Sequence, residues 1–328
     1  METRASVEPS AARTERHLVP EVPPSRWRQW LKKIGAQKTL QLMALLGVAW
    51  MIVFNYIPMY GIIIAFQNFN IVRPIVEAPW VGLEHFREFL GNDDLWNVLT
   101  NTLGISLLKL LVGFPLPILF ALFLNELRSF RFKRAVQTIS YLPHFLSWVI
   151  LGGILATWLS DVGVINNILL GLKLIREPTN FLAEPDYFWS IIIASDIWKE
   201  LGWSAIIYLA AISGVSPELY EAATIDGAGR FQKMWYVTLP SIKATIAILL
   251  ILAVSGVLNS NFEQILVLRN SLNESASNVI DIFVYQTGIV SGRYSYATAV
   301  NLMKSVIAFF LLLLANYASR KINDTSLF

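Results

Sequence analysis

Long apolar stretches alternate with short polar ones along most of the 328-residue chain. The first, LQLMALLGVAWMIVFNYIPMYGIIIAF at 40–66, is long enough to cross a bilayer at about 1.5 Å per residue, and no small-residue cleavage site follows it. It reads as a retained span, with Pro58 as a bend or an end and Tyr56 and Tyr60 as interfacial aromatics. The second, 101–124, carries Pro115 and Pro117, which a membrane helix tolerates when neighbours satisfy the freed carbonyls. Further spans are predicted over 136–159, 187–212, 244–269 and 299–318. The fourth is crossed by Asp196, Lys199 and Glu200. The fifth is interrupted by Ser255, Gly256, Asn259, Ser260 and Asn261, so it is either a broken crossing or a re-entrant segment.

Polar text between the spans carries pattern of its own. Leu83, Phe86, Leu90 and Trp96 recur at near-helical spacing and predict an amphipathic helix near 80–99 on the outer face. Residues 270–296 read as a mostly polar outer loop. Between the fourth and fifth spans, Ser216 can cap a helix that starts with Pro217 and carries Glu218 and Glu221 early. Gly227 then permits a turn, and a second short helix through Phe231, Met234 and Trp235 leads to Leu239-Pro240. The segment 216–240 is therefore a helix-turn-helix knob, with Ala222, Ala223, Phe231, Met234 and Trp235 available for burial.

Charge orients this plan. Arg26, Arg28, Lys32, Lys33 and Lys38 precede the first span; Arg128, Arg131, Lys133 and Arg134 follow the second. Arg230, Lys233 and Lys243 lie before the fifth, and Arg320 and Lys321 follow the last. Six crossings put all four groups on one side, which the positive-inside rule makes cytoplasmic. The domain plan is a cytoplasmic tail at 1–38, a membrane domain at 39–320 and a cytoplasmic tail at 321–328. Composition agrees: 55% hydrophobic against 15% charged leaves too much oil for a soluble fold of this length. The absence of cysteine removes disulfides and thiolate metal sites. No GxxxxGK[ST] sequence is present, so the chain is expected to bind no ATP and to be no enzyme. The net charge of +3 follows membrane orientation and suggests no nucleic-acid partner.

The stretch EAATIDGAGRFQKMWYVTLP (221–240) resembles the cytoplasmic EAA coupling motif of permease subunits in bacterial ABC importers. Together with FNYIPMYGIIIAFQNF (54–69), WVGLEHFREF (80–89), ISYLPHFLSWVI (139–150), NFEQILVL (261–268) and SYATAVNLMKSV (295–306), it is similar to the maltose-type oligosaccharide permeases. The resemblance covers nearly all of the chain after the basic tail. It implies an all-α polytopic membrane protein with six transmembrane helices in the ABC importer type I permease fold, located in the bacterial inner membrane. Implied partners are a second homologous permease, two cytoplasmic ATPases, an extracytoplasmic substrate-binding protein, an oligosaccharide and membrane lipid. No cofactor or metal is implied for this chain; ATP and Mg2+ belong to the ATPase subunits. Glu221, Ala222, Ala223, Asp226, Gly227, Leu239 and Pro240 match the motif, and Phe231 joins them as a coupling candidate. Many relatives have a further proline shortly after Leu-Pro, where this chain has SIKAT.

A sugar route needs hydrogen-bonding groups and flat aromatic faces. Candidates are Tyr56, Tyr60, Trp198, Asn259, Asn261, Glu263 and Gln264, although the aromatics also suit interfacial anchoring or packing. Lys109, Lys199, Glu200 and Lys304 are costly in lipid and should face the bundle interior. Lys199 and Glu200 do not share a helical face, so a direct local pair is not expected to account for both. Either Glu200 bridges to Lys109 or Lys304 as packing glue, or surplus positive charge suits an acidic oligosaccharide such as a uronate oligomer. Neutral sugar, a peptide-like solute and an ion-coupled transporter using Asp196, Lys199 and Glu200 remain open alternatives.

Overall fold

Prolines set much of the helix geometry, because each removes a donor and its ring meets the carbonyl four residues back. In the computed structural model, which describes Trp27 and Gln37–Asn323 with side chains to Lys321, a widened π turn precedes several of them. Ile52–Tyr56 opens the ladder ahead of Pro58, Lys109–Gly113 ahead of Pro115, and Met234–Thr238 ahead of Pro240. Helices thus continue through these prolines. The basic tail residues Arg26, Arg28, Lys32 and Lys33, and the last five residues 324–328, lie outside the described residues.

The chain divides between Tyr60 and Gly61 into two units. The first holds helix α1 (Lys38–Met51), which runs on through Pro58 as part of an apolar helical stretch over Lys38–Phe66. Pro58 does not close the span, which continues helically beyond it.

In the second unit, α2 (Glu84–Leu90) and α3 (Leu95–Leu108) replace the single outer helix expected over 80–99. Gly91 ends the former, and Asn92 accepts a hydrogen bond from the Asp94 N–H at 2.8 Å in the turn between them. Next come α4 (Pro115–Asn125), α5 (Phe130–Tyr141), α6 (Trp148–Leu159) and α7 (Val164–Gly171). The 29-residue α8 (Pro185–Ser213) is followed by α9 (Pro217–Ile225) and α10 (Arg230–Lys233). Finally come α11 (Lys243–Ser255), α12 (Phe262–Leu268), α13 (Ile280–Tyr285) and α14 (Tyr294–Asn323).

Two sequence expectations are corrected in this region. The third apolar span begins at Trp148, not at 136, and runs to Gly171 with a short interruption. Residues up to Tyr141 belong to the separate helix α5, because the chain tightens into a 3-10 turn at Leu142–Phe145 and extends at Leu146. Residues 270–296 are not a polar loop throughout: Val279, Ile280, Ile282 and Phe283 are buried, on or next to α13.

Helix α8 is the hub. Its first half packs Phe188 and Ile192 against Ile105 of α3, Ile265 and Leu268 of α12, and Ile282 of α13. Its second half packs Ala205, Tyr208 and Ile212 against Ile118 and Leu122 of α4, Met234, and Ile242. Close approach is built in at glycine: a Cβ at Gly202 would lie 2.3 Å from the Ser140 carbonyl oxygen, so α5 and α8 meet there backbone to backbone. A third cluster joins Phe89, Val98, Phe283, Tyr296 and Val300.

Four described helical stretches are long and apolar enough to cross a membrane: Lys38–Phe66, Leu95–Asn125, Trp148–Gly171 and Tyr294–Lys321. A fifth results if Arg230–Ser241 and Lys243–Ser255, bent by 64°, count together. Helix α8 is about 43 Å long at 1.5 Å per residue, but it carries the charges already noted. The protein is an all-α, multi-spanning membrane protein.

Candidate coupling surface and translocation route

The knob is built mainly by its backbone. Ser216 accepts from the Glu218 N–H at 3.3 Å and starts α9, with Pro217 in the first turn. At the other end Gly227 has φ +78°, the left-handed region that closes a helix with least strain in glycine. Its N–H donates to the Thr224 carbonyl at 3.1 Å, and the Ala228 N–H donates to the Ala223 carbonyl at 2.8 Å. This pair of bonds is a Schellman closure, and it satisfies two carbonyls that the helix end would otherwise leave unpaired. A bond from the Gly229 N–H to Gln232 Oε1, 2.7 Å, begins α10.

Three side-chain contacts hold the knob together. Lys233 donates to Thr224 Oγ1 at 2.7 Å, and the hydroxyls of Tyr220 and Thr238 lie 3.0 Å apart. Met234 is buried against α4 and α8. Of the apolar residues expected to be available for burial, Met234 alone is fully enclosed; Ala223 is half-buried and Ala222 exposed. Phe231 is 67% exposed and Trp235 48%, beside Ile225 at 86% and Tyr236 at 79%. The carboxylates of Glu221 and Asp226 are exposed and make no hydrogen bond or ion pair among the described residues. Leu239 and Pro240 continue the helix behind the π turn. The result is an exposed apolar and acidic tip on a buried stem.

The second candidate is the break between α11 and α12. Asn261 adopts φ +60°, a left-handed conformation in which asparagine is the best-tolerated residue after glycine, and its side-chain oxygen caps α12. Its amide donates to Asp196 Oδ1 on α8 at 3.2 Å. Lys109 lies 3.1 Å from the same oxygen and donates to Gln264 Oε1 at 2.8 Å. Gln264 is fully buried, and its amide donates to the Ile192 carbonyl at 2.7 Å and to Ser195 Oγ at 2.9 Å. On the other flank, Asp281 receives hydrogen bonds at 3.4 Å from the Ser260 N–H and hydroxyl and is paired with Lys304 of α14. Two lysine–aspartate pairs therefore fix the irregular backbone, supplying the partners that a broken helix loses. A cavity of about 210 Å3 opens beside it, lined by Ser106, Lys109, Phe114, Gly256 and Asn259 among others.

Lys199 does different work. Only 6% exposed, it donates to the Leu146 carbonyl at 2.9 Å and to those of His144 and Pro143, and lies 5.7 Å from the Trp148 ring. It satisfies the loose carbonyls where the chain breaks between α5 and α6. Glu200 Oε2 accepts from His144 Nδ1 at 2.9 Å, and the His144 ring stacks on Trp203 at 4.2 Å.

These contacts correct the electrostatic expectations. Glu200 does not bridge to Lys109 or Lys304; those meet Asp196 and Asp281. Lys199 and Glu200 do approach, at 3.7 Å, although they point about 100° apart on the helix, because both heads reach for the 143–146 segment. Lys109, Lys199 and Lys304 thus each have a carboxylate within reach, so they provide no surplus positive charge. Asp281 and His144 were missed by sequence reading; the apolar run around Asp281, VIDIFVY, was the available signal.

The remaining candidates are scattered. Glu263 is exposed, Trp198 packs near Trp158 at 6.2 Å, and Tyr56 and Tyr60 stand exposed on the first helix. No group of three or more metal-ligating side chains occurs among the described residues.

Residues 113–324 match the family described as the binding-protein-dependent transport system inner membrane component. The chain belongs to that family. This permease is similar to Protein LplB of Bacillus subtilis (strain 168), 42% identical over 91% of this chain and 94% of that protein. The polygalacturonan/rhamnogalacturonan transport system permease protein YteP of the same organism is also 42% identical, over 92% and 94%. A crystal structure of a bacterial ABC transporter involved in the import of the acidic polysaccharide alginate superposes with TM-score 0.83, at 40% identity, covering 90% of this chain and 99% of that one. The protein is a non-catalytic membrane permease subunit of an ABC importer with the type I fold.

Proposed function

We propose that this permease passes an acidic oligosaccharide across the bacterial inner membrane by alternating access. Its partners would be a second homologous permease, two cytoplasmic ATPases that bind ATP and Mg2+, and an extracytoplasmic substrate-binding protein. The observation that carries the cargo reading is the 40% identity, over 90% of the chain, to a permease chain of the alginate-import transporter. The relative named for polygalacturonan and rhamnogalacturonan supports the same class. Inside the chain, Asn259, Lys109 and Ser106 set donors beside Phe114 around one cavity, a combination suited to hydroxyls and C–H faces. Since the lysines are already neutralised, we assign selection for a carboxylate to the other subunits.

The same reading makes Glu221, Ala222, Ala223, Asp226, Gly227, Phe231, Leu239 and Pro240 the EAA-type coupling surface for the ATPase cleft, in a maltose-type permease. Six crossings would include α8, whose charges are paired internally, and the broken α11–α12 segment. Both termini and the knob would then be cytoplasmic.

The test is uptake by the reconstituted complex of a uronate oligomer and a neutral oligomer of matched length. The expected result is ATP-dependent uptake of the uronate oligomer, lost when the ATPase nucleotide site is inactivated. Transport of the neutral oligomer alone would overturn the acidic cargo, and would suit the relatives named for lactose and arabinooligosaccharides. Uptake that survives ATPase loss and collapses with an ion gradient would instead establish secondary transport.

A further inference from the structure

A cavity of about 460 Å3 lies at the start of α14, apart from the one beside the broken segment. Its walls come from three distant stretches: residues 68–71, His85 of α2, and residues 292–296. Contacts across the chain fix those walls. The Phe69 N–H donates to Ser295 Oγ at 2.9 Å, and His85 Nε2 donates to the Gln67 carbonyl at 3.1 Å. The Asn92 amide donates to the Tyr296 hydroxyl at 3.2 Å. Arg293 lies over the Tyr296 ring at 4.4 Å and pairs with Glu88. A binding surface held in this way loses little freedom when it is filled.

The described lining holds no carboxylate, and several of its polar groups are unspent. Asn68 is exposed, and neither its side-chain amide nor the Tyr294 hydroxyl makes a hydrogen bond among the described residues. Asn70 accepts from the Val72 N–H at 3.2 Å, but its own amide donates to nothing there. An amide and a phenol both donate and accept, as sugar hydroxyls do. Beside them the Phe69 and Tyr294 rings meet edge to face at 6.3 Å and offer apolar faces for C–H surface. The volume falls within the roughly 300–1,000 Å3 of small-molecule pockets. Helix α14 has 30 residues and is about 45 Å long, so the cavity and exposed Lys321 stand at opposite ends of a membrane-crossing helix. With Lys321 cytoplasmic, as proposed above, the cavity is on the side from which cargo arrives.

We propose that this cavity is an entry subsite for one sugar ring of the cargo, with Asn68, Asn70 and Tyr294 bonding its hydroxyls and the Phe69 and Tyr294 rings against its C–H face. It rests on the oligosaccharide reading of the cargo but not on the cargo's charge. Glu88 meets Arg293, so acidic and neutral rings are taken alike. A lipid tail would leave the amides unpaired, whereas ring hydroxyls satisfy them.

The chain has no cysteine, so Ile71→Cys, at an exposed lining residue, gives this subunit a single reporter in the reconstituted importer. Its reaction with an impermeant maleimide would be read as the adduct on this chain, without binding protein present. A uronate oligomer and a neutral glucose oligomer of matched length should each slow labelling at position 71 saturably. Labelling of Val76→Cys, exposed in the same segment but outside the lining, should not change. Asn68→Ala and Tyr294→Phe, added to the reporter, should each raise the concentration for half-protection about fivefold, the worth of one hydrogen bond. No slowing by either oligomer, in an importer that still takes up the uronate oligomer once binding protein is added, would overturn the subsite and leave the cargo reading standing. Protection by both oligomers with uptake of neither would uphold the subsite and strike the cargo reading. Slowing undiminished in both variants would put the sugar elsewhere, and slowing by sugar-free binding protein alone would give the cavity to a protein contact; either result overturns the proposal.

Discussion

Gly227 shows how one residue can be required for its backbone alone. A Cβ there would touch nothing within 4 Å, so space is not the constraint. The constraint is φ +78°, which costs a residue with a Cβ roughly 1–2 kcal/mol and more when it is β-branched. Gly227→Val should therefore open the Schellman closure and misdirect α10, while Gly227→Asn, which tolerates the left-handed region, should keep most of the native turn. With the spans remote from this turn, both variants should reach the membrane at parental abundance. The valine variant is expected to lose ATPase association, or to hydrolyse ATP without uptake; the asparagine variant should retain both. Full coupling in Gly227→Val, measured as association, hydrolysis and uptake in one preparation, would remove the main physical support for the coupling reading. This residue was legible in the sequence because a glycine between two short amphipathic segments has few other reasons to be there. Lys199 was only half legible: its burial followed from the cost of charge in lipid, but its partners are carbonyls 53–56 residues away, exposed by a break that the apolar text around Pro143 conceals.

At the scale of an element, the interruption at 256–261 was visible as a cluster of small and amide residues, while its supports were not. They come from the π turn after α3, from α8, α13 and α14, and only the folded chain brings those to one place. The supports predict a coupling that a double-mutant cycle can measure. Asp196→Asn should leave Lys109 without its carboxylate and lower stability by about 2 kcal/mol, discounted from a fully buried pair because both side chains retain some exposure. Lys109→Met should cost a comparable amount by leaving Asp196 with Asn261 alone. The double variant should be less destabilised than the sum of the two, since it leaves no unpaired charge. Thermal unfolding of the detergent-solubilised permease gives the three differences. Strict additivity would show that Lys109 and Asp196 do not act as a pair, and the latch role of the network would fall. The same reasoning accounts for the third span: Pro143 and His144 are easily overlooked in a mostly apolar run, and Lys199 and Glu200 hold the segment that separates it from α5.

For the whole molecule, the distribution of charge and the number of crossings make one joint prediction. Exposed Arg230, at the knob, and exposed Glu274, beyond the broken segment, are separated by α11, the break and α12. If these form one interrupted crossing, Arg230 and Glu274 lie on opposite sides; if the segment re-enters, they lie on the same side. Helix α14 then carries the parity to exposed Lys321. An interrupted crossing returns Lys321 to the side of Arg230, giving six spans and a common basic face. Re-entry sends Lys321 to the opposite side and breaks the positive-inside pattern. The internal pairing of Asp196, Lys199, Asp281 and Lys304 favours a true crossing, since it removes the charges that would make membrane burial of α8 and of this segment costly. Single cysteines at Glu84, Arg230, Glu274 and Lys321, all exposed, can be placed in this cysteine-free chain and challenged in intact cells with an impermeant maleimide. Labelling is expected at 84 and 274, and at 230 and 321 only after permeabilisation. Labelling at 321 but not 274 in intact cells would establish re-entry, and labelling at 230 would overturn the whole orientation, with the knob then on the wrong side to meet an ATPase.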